Sequence, residues 1–242
     1  VLAFLVGAAL GLVFAVFGAG GGIVAVPVLL AVFKLPMASA TAGSLGVVWA
    51  AATTAAASHA RAGRVEWRVA IAFAPPSMLG AVLGARLNAL VPERVTVILF
   101  ALVLTVATLS LFRPKPDQPH ASPTWAVLLA GLGIGTLTGF LGVGGGFLVV
   151  PALVTLARVP LHRAVATSAA VISASSLAGA VSALSRDTSL LQLLLPIAGG
   201  AVTGALLGAP LSGKLPERPL RLGFALLAFG IASVMAYRAV TL

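Results

Sequence analysis

Gly18-Ala-Gly-Gly-Gly-Ile-Val-Ala-Val-Pro27 recurs as Gly142-Val-Gly-Gly-Gly-Phe-Leu-Val-Val-Pro151, 124 residues further on, with six of ten positions identical. At the same offset Pro36 meets Pro160, Ser44 meets Ser168 and Gly84 meets Gly208, and Pro92-Glu93-Arg94 meets Pro216-Glu217-Arg218. A repeat at one fixed period means that one structural unit is used twice. The chain therefore divides into a first repeat over 1–112, a polar linker over 113–124 and a second repeat over 125–242.

Composition places both copies in a membrane. Of 242 residues, 60% are apolar and 8% charged, with a mean hydropathy of +1.14. A soluble domain carries roughly 25% charged residues, and a disordered chain needs low hydrophobicity. The apolar runs divide alike in each copy: 1–17, 22–33, 38–58, 69–90 and 94–112, then 125–141, 146–157, 164–184, 190–212 and 219–237. The second run of each set has 12 residues, about 18 Å of helix, against a hydrocarbon core of about 30 Å. Runs one and two thus read as a hairpin of short or broken helices meeting at the Gly cluster. Residues 1–17 lack the basic n-region of a signal peptide and have a counterpart at 125–141, so they read as structural. The missing initiator Met suggests trimming before Val1.

A hairpin returns the chain to the side where it began, so each half makes an odd net number of crossings and the halves are inverted. Loop charges agree. One side then collects Arg61, Arg64, Arg68, Arg113, Lys115, Arg158, Arg163, Lys214, Arg218 and Arg221. The other collects Lys34, Arg86, Arg94, Arg186 and Arg238, a bias of ten against five. Treating each hairpin as one crossing leaves eight against seven. Cytoplasmic loops gather Lys and Arg, which puts the linker in the cytoplasm and both termini outside. The expected fold class is an all-α polytopic membrane protein. Its two homologous halves form an inverted repeat, each a broken, short-helix hairpin followed by about three transmembrane helices.

The net charge of +10 would suggest nucleic acid in a soluble protein, but here the cations lie in gaps between apolar runs. The expected partners are a lipid bilayer and a small anionic substrate, with no nucleic acid. Cysteine is absent, which removes thiol chemistry and Cys metal sites. Glu66, Glu93, Asp117, Asp187 and Glu217 lie at run ends or in loops, so no buried proton relay is visible. His59, His120 and His162 are placed likewise, leaving no zinc signature or Ser–His pair. No metal, no cofactor and no enzymatic activity are expected. Arg86, inside the end of the fourth run, reads as snorkelling to the interface in preference to holding an anion. Trp67 and Trp125 open runs beside charged residues, as interfacial anchors do, whereas Trp49 in mid-run reads as a packing residue.

The Gly clusters carry the chemistry. A Gly-x-Gly-Gly-Gly stretch breaks a helix and bares backbone N–H groups, tolerated at membrane depth only beside protein or a polar cavity. Such a turn leading into a helix N-terminus can hold an anion. Two inverted copies place two such ends near the midplane. The candidate substrate-binding groups are Gly20, Gly21 and Gly22 with Gly144, Gly145 and Gly146, joined by the repeat-related hydroxyls of Ser44 and Ser168. Gly18, Pro27, Gly142 and Pro151 break or shape the short helices. Close helix packing is the competing reading of every glycine, and is preferred for Gly80-x-x-x-Gly84 and Gly200-x-x-x-Gly204-x-x-x-Gly208. Other hydroxyls (Thr41, Thr53, Thr54, Thr167, Ser173, Ser175 and Ser176) read as bonding their own backbone or neighbouring helices. A dinucleotide fingerprint fails, because Ile23 and Phe147 stand at the third glycine's place and no strand precedes.

The paired clusters with Val-Pro at their ends, together with Thr41–Leu45 and Ala166–Ala169, resemble the sulfite exporter TauE/SafE family, also called 4-toluene sulfonate uptake permeases. The half-length repeat extends the resemblance across nearly the whole chain. It implies a bacterial inner-membrane transporter of small sulfur-containing anions such as sulfite, sulfonates or sulfoacetate. The expectation is outward transport by alternating access between the halves. An anion channel of the same architecture and an intramembrane enzyme using Ser44 or Ser168 are the competing readings.

Overall fold

The computed structural model describes residues 1–17, 22–110, 124–143, 146–184 and 190–212, with a few positions between 223 and 234. Within these, regular structure is entirely helical: α1 (Leu2–Phe17), α2 (Gly22–Val32), α3 (Met37–Arg61), α4 (Trp67–Asn88), α5 (Glu93–Ser110), α6 (Thr124–Leu141), α7 (Gly146–Thr155), α8 (Leu161–Leu184) and α9 (Leu191–Ser212). Four of them, α3, α4, α8 and α9, are long and apolar enough to cross a membrane. α2 and α7 have 11 and 10 residues, the short second members that the run lengths predict. The linker over 113–123 and most of the tenth run lie outside the described residues.

The local chemistry of the two halves matches down to single backbone groups. Lys34 and Arg158, 124 positions apart, both take left-handed φ values, 52° and 57°. The chain turns there, and Leu35 and Val159 return their N–H groups to the carbonyls of Leu29 and Leu153. Pro36 and Pro160 then precede α3 and α8, where the missing N–H costs nothing. Their carbonyls accept from Ala40 and Ala164, both at 2.8 Å.

Packing joins the halves rather than separating them. α1 lies along α9, and α6 along α4. A Cβ at Gly7 or Gly11 would collide with the carbonyls of Ile197 and Ala201; one at Gly135 would collide with that of Ser77, and one at Gly131 would crowd that of Phe73 at 3.0 Å. Each contact of the second seam is a contact of the first moved by 124 residues. From the opposite face, Gly204 abuts Ala8 and Gly80 abuts Leu132. The close-packing reading of Gly80, Gly84, Gly200, Gly204 and Gly208 is therefore correct, and both seams run parallel. Small residues admit backbones this closely in lipid, where dispersion replaces the hydrophobic effect between helices.

Between the seams lie α3 and α8, which cross antiparallel. Leu45 meets Gly179, the Thr53 and Ser173 hydroxyls share a hydrogen bond at 2.6 Å, and Glu66 beyond α3 meets Thr167 and Arg163 at the start of α8. α4 covers α8 and α9 covers α3. α2 and α7 bury Ile23, Val26, Leu29 and Leu153 against this centre. Trp67 and Trp125 stand exposed at the starts of α4 and α6, in keeping with interfacial anchoring. Arg86 is exposed in the last turn of α4, where a cation also suits the helix dipole. Trp49 departs from the packing expectation. It is 38% exposed, although its neighbours Val47, Val48, Ala50 and Ala51 are buried.

Candidate functional site

α6 ends because Gly142 adopts φ +72°, a conformation that costs a residue with a Cβ roughly 1–2 kcal/mol. Val143 then returns its N–H to the Thr138 carbonyl at 3.1 Å, the bond of a Schellman-type ending. This turn drives the backbone of the second half into the first. A Cβ at Gly142 would stand 2.6 Å from Thr41 Cγ2 and 2.7 Å from Thr41 Cα. The Ser44 hydroxyl, one turn further along α3, points at the Gly142 carbonyl and at the Thr41 carbonyl, the latter at 2.9 Å.

The first half answers in kind. Gly22, the first residue of α2, touches the Val143 carbonyl so closely that no Cβ fits between them. The described ends of the two Gly clusters therefore meet each other, with Gly22, Gly142 and Val143 in contact beneath α3. Gly146 begins α7. Gly18, Gly20, Gly21, Gly144 and Gly145 lie outside the described residues.

Every side chain at this junction is neutral. Thr41, Ser44, Thr167 and Ser168 are buried. Ser168 donates to the Val165 carbonyl at 2.8 Å, the repeat image of the Ser44–Thr41 bond. Thr167 accepts the Glu66 N–H at 3.0 Å. Thr54 and Ser175 bond their own helix, as expected of hydroxyls in membrane helices. Thr41 Oγ1 and Ser176 Oγ are different: both are buried and neither has a partner. A buried hydroxyl left unpaired costs about 1–3 kcal/mol. Thr41 sits against the glycine turn, and its free oxygen is the unpaired polar atom beside it. Nothing in the structure explains Ser176. Sequence reasoning grouped Thr41 with the structural hydroxyls, and only its contact with Gly142, a long-range one, sets it apart. Among the described residues no cluster of His, Asp or Glu could hold a metal ion.

The family of this chain follows from comparison with known proteins. The model describing "Sulfite exporter TauE/SafE" matches residues 3–235. The chain belongs to that family. A "Probable membrane transporter protein" of Xylella fastidiosa is 31% identical over 97% of this chain and 92% of its own length. Similar proteins occur in Haemophilus influenzae, 29% identical over 96% of both chains, and in Bacillus subtilis, 22% identical over 88% of this chain and 90% of its own. No solved structure matches the chain. This TauE/SafE protein is thus a multi-pass membrane transporter, and its glycine junction lies where α1–α2 of one half and α6–α7 of the other converge.

Proposed function

We propose that the protein carries a small sulfur-containing oxyanion, such as sulfite or an organosulfonate, outward across the bacterial inner membrane, through a site at the glycine junction. One observation carries this reading: an unpaired, buried Thr41 hydroxyl sits against a left-handed glycine turn from the opposite half. An anion placed there would take the Thr41 hydroxyl and the backbone N–H groups of Gly20, Gly21 and Gly22 and of Gly144, Gly145 and Gly146. Ser44 and Ser168 hold their protons on carbonyls in this conformer and would turn them to the anion when the clusters part.

The antiparallel crossing of α3 and α8 and the position-by-position match of the two seams support an inverted repeat. With it go a cytoplasmic linker and termini outside. The interleaving also suggests which bodies move. Because α1 is welded to α9 and α6 to α4, rocking separates those two mixed pairs, not the chain halves 1–112 and 125–242. Charge is supplied by the ion alone. An inside-negative potential favours exit of a monoanion by roughly 2.3 kcal/mol per 100 mV, which accords with a site built from uncharged groups.

Flux into proteoliposomes tests the reading. Sulfite, methanesulfonate, sulfoacetate and thiosulfate are compared, with trans-stimulation separating carrier from channel. Saturable, trans-stimulated flux of at least one is expected. Protein-dependent flux of none would refute the substrate class, and linear flux with single-channel currents would refute alternating access.

A further inference from the structure

The repeat offset allows the two ends of the α3–α8 pair to be compared position by position, and they differ. Where α8 begins, Arg163 forms an ion pair with Glu66, and Thr167 accepts the Glu66 N–H. Buried His59 lies near the end of α3 on the same side. The corresponding positions where α3 begins are Ser39 for Arg163, Leu190 for Glu66, Gly43 for Thr167 and Ala183 for His59. None of those four can form an ion pair. Instead three of them, Ser39, Ala183 and Leu190, border a pocket of about 120 Å³ that Thr41, Ala42 and Asn88 also line. A single water needs roughly 10–15 Å³ of such space, so a small polyatomic ion fits. The unpaired Thr41 that abuts the glycine turn also lines this pocket, joining it to the junction.

We infer that this pocket is the mouth of the transport path at the end where α3 begins, and that Arg163–Glu66 latches the equivalent mouth shut at the end where α8 begins. The inference rests on the alternating-access reading above and adds to it the state of this conformer and the residues that hold it. An ion pair with side chains 57% and 35% exposed is a weak bond, because solvent screens it and two long side chains must be ordered to make it. A weak bond suits a latch, because it biases a two-state equilibrium without freezing it. Loss of the pair should therefore shift the populations several-fold, not abolish one state.

The chain contains no cysteine, so single cysteines report access directly. Ala42→Cys, which lines the pocket, and its repeat counterpart Ala166→Cys, fully buried here, are treated with a charged methanethiosulfonate reagent in detergent, where both ends are reachable. Thermal unfolding of each variant guards against a misfolded one. The cysteine at the α3 end should react at least about tenfold faster than its counterpart. Adding Glu66→Gln should raise the rate at the α8 end and lower it at the α3 end, each by about two- to fivefold, while Glu66→Asp restores the original ratio. Equal rates at both ends in the protein that keeps Glu66, or rates indifferent to Glu66→Gln, would overturn the inference. No transported anion enters this assay, so its failure is separate from failure of the flux panel.

Discussion

The α1–α9 and α6–α4 seams are the same surface made twice, while the two ends of the α3–α8 pair share an ancestry and little else. In the seams, Gly7 and Gly131, Gly11 and Gly135, and Gly80 and Gly204 each press on the matching carbonyl of the partner helix. At the ends, an ion pair and a threonine stand where the other end has Ser39, Leu190 and Gly43. The contrast separates two kinds of work. Surfaces that hold the molecule together keep their contacts in both copies. On the alternating-access proposal, a passage that opens to one side at a time has no such need, since its two mouths would be in different states and face different compartments.

The strongest way to break the comparison is to fill a seam. Gly204→Leu and Gly80→Leu should each abolish a monodisperse folded protein, because backbone must retreat to admit the side chain. The loss exceeds the roughly 1–3 kcal/mol of ordinary overpacking, and size-exclusion profiles and thermal unfolding would read it. Tolerance at one seam with collapse at the other would show that they are not equivalent. A smaller effect is expected at the junction. Gly142→Ala combines a φ of +72° with a 2.6 Å approach to Thr41 Cγ2, a strain of about 1–3 kcal/mol. Flux should fall at least about tenfold in protein that still purifies. Gly133→Ala, with nothing within 4 Å of its added Cβ, should leave flux unchanged.

The serines sharpen the comparison further. Ser44→Ala removes the hydroxyl that joins α3 to the Gly142 carbonyl and should cost about 1 kcal/mol in thermal stability. Ser168→Ala removes a bond to its own helix and should cost less. An equal loss would argue that the Gly142 contact contributes nothing. The smallest change runs the other way. Lys34→Gly relieves a left-handed residue at φ 52° and should raise stability by under about 1 kcal/mol once the lost cation at the helix C-terminus is counted, read as a small rise in melting temperature.

Hydropathy alone located the elements well. The run 22–33 became Gly22–Val32 and the run 146–157 became Gly146–Thr155, because Gly and the Lys34 and Arg158 turns interrupt the backbone where they interrupt the pattern. α3 outruns its apolar stretch, ending at Arg61 instead of 58, since a helix continues through polar residues once it leaves the bilayer core. Pairing was harder to read. Gly7-x-x-x-Gly11 and Gly131-x-x-x-Gly135 advertise close packing, but small residues tell that a helix will be approached and not by which neighbour. The interleaving of the halves stayed hidden for that reason. Of the candidate site, Ser44 and the glycines were legible from duplication. Thr41 was not, because its repeat partner is Val165 and its significance comes from what the fold sets beside it.

The seams also bear on how the molecule is made. The first half leaves the ribosome with α1 and α4 each presenting a glycine stripe whose partner, α9 or α6, has not been synthesised. Neither stripe can be covered within its own half. The last seam closes only when α9 has inserted, at Ser212, so the nascent chain must be kept from pairing wrongly through most of its synthesis. Two halves supplied as separate polypeptides should nonetheless find each other, since their principal contacts were intermolecular in all but the linker.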